Sequence, residues 1–458
     1  MGSASTVEQA FRFARNMLLT RLLAPSAFGS MAIVLSSASL ITTLSDVGIW
    51  PAVVQNPRGG EDDYLNAAWW MGLVRAVGIY ILIFFAAPYV ARFYGNQILS
   101  PLLRVALLNT VLEGLASPRS KLAQKDMDFR KLAFINNGGG VAGVILTVVL
   151  SLLMHSVWAL AIGYCGEMAF RCVLSYILYP GWPAVRFDGH AFHELLQFSK
   201  GMFGLSFLNL VFSRTDIFVL GKLFSPGELG LYSMAINLVQ TPASFLISVA
   251  SVVLLPALAH VQGDNQRANR ILVEVTSWSL LLGLPIVVAV SLCGPTLLRV
   301  VYGPKYAAAY AALAAAACVM LINLLNSLIT TLFFAEGKPA LHRRAVATSA
   351  IVMVVVAYPA CKAFGLVGGQ IAALLAITAS YLLQVQRIRG ITGLRLPRYG
   401  WSVLPALLVS LIPFGAWFAV RRFTVVHSPW LSLGVEAAAC LVVGLLSIPV
   451  LLKFRTAQ

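Results

Sequence analysis

The sequence predicts an all-α polytopic membrane protein with about fourteen transmembrane helices. Three observations predict this class. The chain is 59% hydrophobic and only 11% charged, whereas soluble domains carry about 25% charged residues. Apolar stretches of about 18 or more residues recur along the whole length, each long enough to cross about 30 Å of hydrocarbon as a helix. A nine-residue turn also occurs twice, at 21–29 (RLLAPSAFG) and 222–230 (KLFSPGELG).

The two copies of this turn indicate a duplicated unit. Both have a basic residue, Leu, Pro and Gly at matching positions, and the second copy begins 201 residues after the first, at Lys222 against Arg21. About six helices separate the copies, so both run in the same direction through the membrane. We therefore expect a parallel repeat of two six-helix lobes around a central cavity, followed by two C-terminal helices.

The first lobe is predicted over residues 1–180. Its helices are expected at 3–23, 27–51, 66–90, 101–116, 134–154 and 157–179. The first segment carries Glu8, Arg12 and Arg15 where a cleavable signal peptide has an uninterrupted apolar core, so we interpret it as a membrane helix. Gly138–Gly140 in the fifth helix favour close helix packing.

A cytoplasmic connector at 181–194 leads to the second lobe at 195–390, and residues 391–458 hold the last two helices. The segment 198–242, which opens the second lobe, contains two apolar helices around the second turn, the latter ending near Pro256. The remaining helices are expected at 272–293, 307–334, 345–361, 366–386, 401–420 and 430–452.

The basic residues predict the topology. With the N-terminus inside, about nineteen of the 33 Lys and Arg residues fall in cytoplasmic loops and about nine in outer loops. This asymmetry favours an even helix count with both termini cytoplasmic. It also accounts for the net charge of +16, so we expect membrane lipid rather than nucleic acid as the partner of the basic loops.

Five arginines fall inside predicted membrane helices. They are Arg12, Arg15, Arg75, Arg171 and Arg214. An ionisable residue at such a position is costly and is a functional candidate by default. Guanidinium groups stay charged and bind phosphate oxygens bidentately. If the five face one cavity, it is cationic, and a diphosphate headgroup is the natural ligand.

Structural alternatives stand beside this interpretation. Glu167 precedes Arg171 by four residues, a spacing that makes an intrahelical ion pair. Arg12 and Arg15 can extend to the cytoplasmic interface if the first helix begins later. Asp216 offsets the charge of Arg214 or serves as a proton or sodium coupling site, although a two-residue spacing does not place the two on one face. Glu167 and Asp216 are therefore candidates for coupling or counter-charge.

Signals for catalysis or metal binding are weak. Asp126 and Asp128 match a two-carboxylate motif of glycosyltransferases, but no nucleotide-binding domain surrounds them. The six Cys and six His residues show no metal-ligand spacing. No phosphate-binding loop of the kind that binds ATP is present in the sequence. We expect a transporter with no catalytic residue, no metal and no cofactor.

Four segments carry a resemblance to a known family. Residues 19–29 (LTRLLAPSAFG) and 44–48 (LSDVG) resemble the opening signature of bacterial polysaccharide and O-antigen flippases. Residues 125–131 (KDMDFRK) and 214–232, beginning RTD and followed by Pro242, are similar to the colanic-acid-exporter-like branch of that family. The family belongs to the multidrug/oligosaccharidyl-lipid/polysaccharide exporter superfamily.

The resemblance implies a function. It is the movement of undecaprenyl-diphosphate-linked oligosaccharide from the cytoplasmic to the periplasmic leaflet of the bacterial inner membrane by alternating access. The product serves O-antigen, capsule or exopolysaccharide synthesis, with a polysaccharide polymerase and a chain-length regulator as expected partners. Cationic cavity residues are a family feature, matched by Arg12, Arg15 and Arg214. The alternatives are a cation-coupled multidrug exporter, which favours an acidic cavity, and an integral-membrane glycosyltransferase or polymerase, which usually has a large polar domain.

Overall fold

The apolar stretches of the sequence fold as long helices. A computed structural model describes residues 2–45, 48–123, 125, 128–184 and 203–393. Within these ranges every regular element is a helix, and nine stretches are long and apolar enough to cross a membrane. One of them, Pro339–Thr392, contains two helices. The predicted all-α polytopic membrane class is confirmed, and the helices predicted at 401–420 and 430–452 lie outside the described residues.

Nine helices form the first part of the described chain. Their bounds are α1 Gly2–Leu22, α2 Pro25–Ser45, α3 Ile49–Gln55, α4 Asp62–Tyr94, α5 Leu99–Ala106, α6 Leu108–Leu115, α7 Pro118–Leu122, α8 Phe129–Met154 and α9 Val157–Leu178. A short 3-10 helix, Pro57–Gly60, joins α3 to α4. The segment after α9 is fastened to α4, because Trp70 Nε1 donates to the carbonyl of Ala184 at 3.1 Å.

Six helices follow in the second part of the described chain. Their bounds are α10 Phe203–Leu223, α11 Pro226–Ala259, α12 Asn265–Val301, α13 Tyr310–Ala335, α14 Pro339–Phe364 and α15 Gly368–Thr392. Buried polar side chains on these helices bond one another, as expected where no water competes. Gln384 Nε2 donates to Asn326 Oδ1 at 2.6 Å, and Gln370 Nε2 donates to the Tyr232 hydroxyl at 2.7 Å.

Three predicted helices in the first lobe differ from the structure. The helix predicted at 27–51 is interrupted, because Gly48 has a positive φ of 64° and separates α2 from α3. The helix predicted at 101–116 is divided at Leu107 into α5 and α6. The helix predicted to begin at residue 134 begins at Phe129, because the Asp128 side chain accepts from the backbone N–H of Lys131 at 3.4 Å and caps it.

Helix α1 forms where it was predicted but differs from the other long helices in composition. It is not among the nine candidate membrane spans of the described residues, because Arg12, Arg15 and Arg21 lie within its 21 residues. It packs along α8. Its passage through the membrane therefore stays a prediction.

Contacts divide the chain into two units, Met1–Gly230 and Leu231–Gln458. The first unit includes α10 and the first turn of α11. The domain bounds predicted from the sequence (1–180, 181–194, 195–390 and 391–458) stay predictions, since most of the connector and nearly all of the last segment lie outside the described residues.

The two copies of the duplicated turn meet inside the first unit. Each turn begins a helix, α2 at Pro25 and α11 at Pro226. A Cβ built on Gly29 would overlap the carbonyl oxygen of Pro226, and a Cβ built on Gly230 would overlap the carbonyl oxygen of Pro25. The contact is reciprocal, as a repeat related by a pseudo-two-fold axis requires. The conserved spacing from Pro to Gly in both copies therefore produces a backbone-to-backbone contact that only glycine permits.

We predict that Gly29→Ala lowers stability. The added methyl group must push the first turns of α2 and α11 apart, at a cost on the order of 1–3 kcal/mol. Gly78→Ala on α4 is the matched control, because a Cβ there meets nothing within 4 Å. Thermal unfolding of the purified protein in detergent, followed by tryptophan fluorescence, should show a lower Tm for Gly29→Ala only. Equal Tm values for the two variants would contradict the close contact.

Candidate functional site

Three of the five helix arginines gather around one carboxylate. Glu167 Oε1 accepts from Arg171 Nη2 at 2.8 Å and from Arg12 Nη2 at 3.0 Å. Arg15 Nη1 lies 3.8 Å from Glu167 Oε2. We call Arg12, Arg15, Glu167 and Arg171 the arginine cluster. It joins α1 to α9 and lies wholly within the first unit.

Glycines of α8 place the cluster. Gly139 and Gly143 are four residues apart on α8, and Glu167 and Arg171 are four apart on α9, so each pair occupies one helix face. A Cβ on Gly143 would lie 2.5 Å from Glu167 Cβ, and a Cβ on Gly139 would overlap Arg171 Cγ. The predicted close packing at the Gly138–Gly140 triplet is confirmed at Gly139. It brings α8 against the polar face of α9.

The cluster lies near the middle of a candidate membrane span. Glu167 is ten residues from the start of α9 at Val157 and eleven from its end at Leu178, which is about 15 Å from either end. The exposed fraction of the side chain is 11% for Glu167, 22% for Arg15, 20% for Arg171 and 45% for Arg12. The carboxylate is therefore the innermost group, and Arg12 is the most open.

The arginine cluster contains more guanidinium groups than carboxylates. Three guanidinium groups surround one carboxylate. Arg15 Nε is buried without a hydrogen-bond partner among the described residues. Glu113 on α6 is exposed and makes no ion pair with the three arginines within the described ranges. A buried guanidinium nitrogen without a partner is available to donate to an anion.

Arg75 contacts a different element. Its Nη1 donates to the carbonyl oxygen of Ser45 at 3.1 Å, the last residue of α2. A cation at a helix C-terminus is stabilised by the unsatisfied carbonyl groups there. Arg75 therefore holds the point where α2 breaks before Gly48, and the structure shows no bond from it to Glu167.

Arg214 and Asp216 do not pair. Within the described ranges the Arg214 guanidinium, which is half-buried on α10, makes no hydrogen bond or ion pair. Asp216 is buried, and its Oδ1 accepts from the backbone N–H of Ile217 at 2.9 Å. Helix α10 belongs to the first unit and packs along α2. Neither Arg214 nor Asp216 takes part in the bonds around Glu167.

Asp128 has a structural role in the described contacts, while Asp126 lies outside the described residues. Besides capping α8, the Asp128 carboxylate accepts from the Tyr179 hydroxyl at 3.2 Å and pairs with Lys131 Nζ at 3.4 Å. Desolvation favours the protonated form of Asp128, but the hydrogen bonds from Lys131 and Tyr179 and the charge of Lys131 together outweigh it and lower the pKa of Asp128. Within the described ranges, no group of three or more His, Cys, Asp or Glu side chains is placed to hold a metal ion.

Sequence reasoning found all three arginines of the cluster but not what joins them. The Glu167–Arg171 pair follows from its four-residue spacing and is confirmed. The bond from Arg12 spans 155 residues, and no local pattern predicts it. The spacing of Gly139 and Gly143 against that of Glu167 and Arg171 is the one sequence signal that could have linked α8 to α9 at this level.

Comparison with known proteins identifies relatives over most of the chain. The sequence model of a family described as polysaccharide biosynthesis protein matches residues 18–311. The lipopolysaccharide biosynthesis protein WzxC of Escherichia coli (strain K12) is 23% identical over 404 residues, which is 87% of this chain and 80% of that protein. The succinoglycan biosynthesis transport protein ExoT of Rhizobium meliloti (strain 1021) is 23% identical over 65% of this chain and 60% of its own length.

Solved structures of two transporter types have a similar fold. The lipid II flippase MurJ in an inward closed conformation superposes with a TM-score of 0.77 at 14% identity, covering 97% of both chains. An inward-facing multidrug resistance MATE family transporter superposes with a TM-score of 0.67 at 14% identity, covering 84% of this chain and 95% of that one. At this identity the likeness concerns the fold alone.

We predict that Gly143→Ala disturbs the cluster and that Gly138→Ala does not. The first methyl group meets the Cβ, Cγ and Cα atoms of Glu167 within 3.0 Å, whereas the second meets only the flexible end of Leu174 at 3.1 Å. Gly143→Ala should therefore lower the Tm, by a free energy on the order of 1–3 kcal/mol. Differential scanning fluorimetry of the two variants measures this, and a larger loss for Gly138→Ala would show that α8 does not pack on Glu167.

Proposed function

The chain belongs to the polysaccharide biosynthesis protein family, and from this we propose that it is a flippase for lipid-linked oligosaccharides. Its substrate would be an undecaprenyl-diphosphate-linked repeat unit, carried across the bacterial inner membrane by alternating access. The relatives named above act in lipopolysaccharide synthesis and succinoglycan transport, and the fold is that of a lipid II flippase. Both support export of a surface-polysaccharide precursor.

One observation carries the proposal for the binding site. Three guanidinium groups meet one carboxylate near the middle of a candidate membrane span, and Arg15 Nε is buried there without a hydrogen-bond partner among the described residues. A guanidinium group is costly in a protein interior unless a ligand or another partner compensates its charge. A diphosphate diester is an anion with several acceptor oxygens, which are the groups that guanidinium donors bind.

The same charge argues against the runner-up. A multidrug exporter for organic cations needs a site that attracts positive charge, and the arginine cluster repels it. Catalysis is not needed for the proposed reaction, since a flippase breaks no bond in its substrate.

The other features of the proposal follow from the sequence. We place both termini in the cytoplasm because this topology puts most of the basic loop residues on the cytoplasmic side, as is typical of membrane proteins. Asp216, a buried carboxylate in a candidate span, is our candidate for proton or sodium coupling. Arg214 would contact the headgroup at another stage of the transport cycle. A polysaccharide polymerase and a chain-length regulator would receive the product.

We predict that Arg171→Ala and Arg15→Ala abolish most transport while the protein stays folded. Each removes a charge-assisted contact worth about 1.5–3 kcal/mol, which is about a tenfold to hundredfold loss of substrate binding. Glu167 keeps two guanidinium partners in either variant, so the protein should stay folded. The measurement is flipping of a fluorescent undecaprenyl-diphosphate-linked glycan in reconstituted vesicles.

The matched control for these variants is Arg104→Ala. Arg104 is a half-buried helix arginine whose Nε donates to the carbonyl of Phe84 at 3.2 Å, away from the cluster. Its loss should leave flipping within about twofold of the unmodified protein. Equal flipping by all three variants would remove the cluster from the mechanism.

A separate prediction concerns Arg214. Since its guanidinium makes no hydrogen bond or ion pair with the described residues, Arg214→Ala removes none and should change the Tm little. We expect it to reduce flipping at least about tenfold, the loss of one charged hydrogen bond to the headgroup. Arg214→Lys should restore part of the activity, and full activity of Arg214→Ala would exclude Arg214 from headgroup binding.

A further inference from the structure

We propose that a cavity beyond the end of α9 binds a sugar of the substrate's glycan, with the ring of Trp182 as its stacking surface. This inference rests on the proposed function, because it concerns the glycan that the flippase carries. The site is separate from the arginine cluster. Leu178, the last residue of α9, is seven residues beyond Arg171, which is about 10 Å of helix.

The segment that follows α9 is fastened at both of its ends. At the first end, the carbonyl oxygen of Tyr179 accepts from Ser117 Oγ at 2.9 Å. At the second, Ala184 donates its backbone N–H to Asn66 Oδ1 at 3.2 Å, in addition to the bond from α4 to its carbonyl oxygen. The short stretch between these bonds contains Trp182, so the ring is presented from a fixed backbone.

The ring of Trp182 is stacked on one side and open on the other. It lies nearly parallel to the ring of Tyr176, with centroids 4.7 Å apart and an interplanar angle of 22°. Tyr176 is itself held, because its hydroxyl donates to the carbonyl oxygen of Leu115 at 2.9 Å. The exposed fraction of Trp182 is nevertheless 85%. A supported aromatic ring with an open face is a surface on which a flat ligand can stack.

A cavity of about 160 Å³ lies beside this ring and is lined by polar groups. Asp62 and Asp63, in the first turn of α4, supply acceptors, and Arg119 Nη2 pairs with Asp62 Oδ1 at 3.3 Å. Asn66 is only 8% exposed. Its Oδ1 is occupied by Ala184, while its Nδ2 makes no hydrogen bond with the residues that the structure describes. A buried amide nitrogen that lines a cavity without a partner is a donor for a ligand.

This lining selects among the three parts of the proposed substrate. The polyprenyl tail is apolar and would leave the donors and acceptors unpaired. The diphosphate is an anion, and the carboxylates of Asp62 and Asp63 repel it. A sugar ring has a C–H face that stacks on an aromatic ring, and its hydroxyl groups both donate and accept. The glycan is therefore the part that fits, and the cavity has room for one such ring.

The other possible occupant of this surface is the membrane. Tryptophan is enriched where helices meet the lipid headgroups, and the predicted topology puts the end of α9 at the cytoplasmic surface. Carboxylates beside the ring disfavour the anionic headgroups of that surface, so we assign Trp182 to the glycan. The predicted topology also puts the cavity on the side from which the substrate is loaded.

The test uses the full-length protein in detergent and two probes. One is the glycan released by mild acid from the lipid-linked oligosaccharides of the source cells, and the other is undecaprenyl diphosphate without a sugar. Binding of the glycan is measured by saturation-transfer NMR, and binding of the lipid by microscale thermophoresis. Flipping of the intact lipid-linked glycan is measured in vesicles, and the Tm of each variant shows that it is folded.

We expect Trp182→Ala to weaken glycan binding about tenfold or more, the loss of one stacking contact, and Trp182→Phe to stay within about threefold. Asn66→Asp keeps the acceptor for Ala184 but removes the amide donors, so it should also weaken glycan binding about tenfold. Binding of the sugar-free lipid should be unchanged in all three. Tyr89→Ala removes an exposed aromatic ring near the other end of α4 and should match the unmodified protein with both probes.

Each outcome decides between the proposals. Glycan binding that is absent in the unmodified protein, or unchanged in both Trp182→Ala and Asn66→Asp, overturns the inference. Weaker binding of the sugar-free lipid by Trp182→Ala, with glycan binding unchanged, also overturns it and assigns the ring to the membrane. If the unmodified protein binds the glycan through these residues but does not flip the lipid-linked form, the cavity stands and the proposed function fails. Normal flipping without glycan binding at the cavity has the opposite meaning.

Discussion

A carboxylate buried near the middle of a membrane span, with three guanidinium groups around it, is the constraint on which the first unit depends. Taking any of these charges out of water is costly, and the bonds between Glu167 and the guanidinium groups around it offset part of that cost. These contacts also require the helix backbones to lie close together. Helix α8 must approach α9 closely enough for its glycines to face Glu167 and Arg171, and α1 must lie along α8 to bring Arg12 within 3.0 Å of Glu167.

The same charges explain why α1 is unlike the other long helices. Its arginines leave it outside the candidate membrane spans of the described chain, yet Leu19 and Thr20 near its C-terminal end are buried. A helix of this kind is held by specific polar contacts more than by its own hydrophobicity. A ligand that bonds Arg12 and Arg15 would therefore compete with the contacts that hold α1 in place. Headgroup binding would in this way shift the position of α1 within the first unit.

The sequence was sufficient for the fold class and for most helices, because long apolar stretches have few alternatives in a membrane. It was insufficient at the breaks. The division of α2 from α3 depends on the positive φ of Gly48, and the division at Leu107 has no local signal that we recognise.

At the site, the four-residue spacing predicted the ion pair between Glu167 and Arg171, since both lie on one face of α9. The approach of Arg12 and Arg15 is a tertiary contact across about 150 residues, which helical periodicity does not encode. The sequence offered Arg75 and Arg214 as equals of the other three, whereas Arg75 holds the end of α2.

The duplicated turn gives the strongest reason to regard the charges of the two copies as complementary in function. Gly29 and Gly230 make reciprocal contacts, so the turns themselves have kept the symmetry of the repeat. The helices before the two turns have not kept this symmetry.

At the offset of the turns, Arg15 corresponds to Asp216. Arg15 belongs to the arginine cluster, whereas Asp216 is a buried carboxylate that does not bond Arg214. Packing constraints act equally on both copies and explain the retained glycines. They do not explain opposite charges at equivalent buried positions, each of which is costly. In the proposed flippase, Arg15 would bind the anionic headgroup and Asp216 would respond to a coupling ion, one in each copy of the repeat.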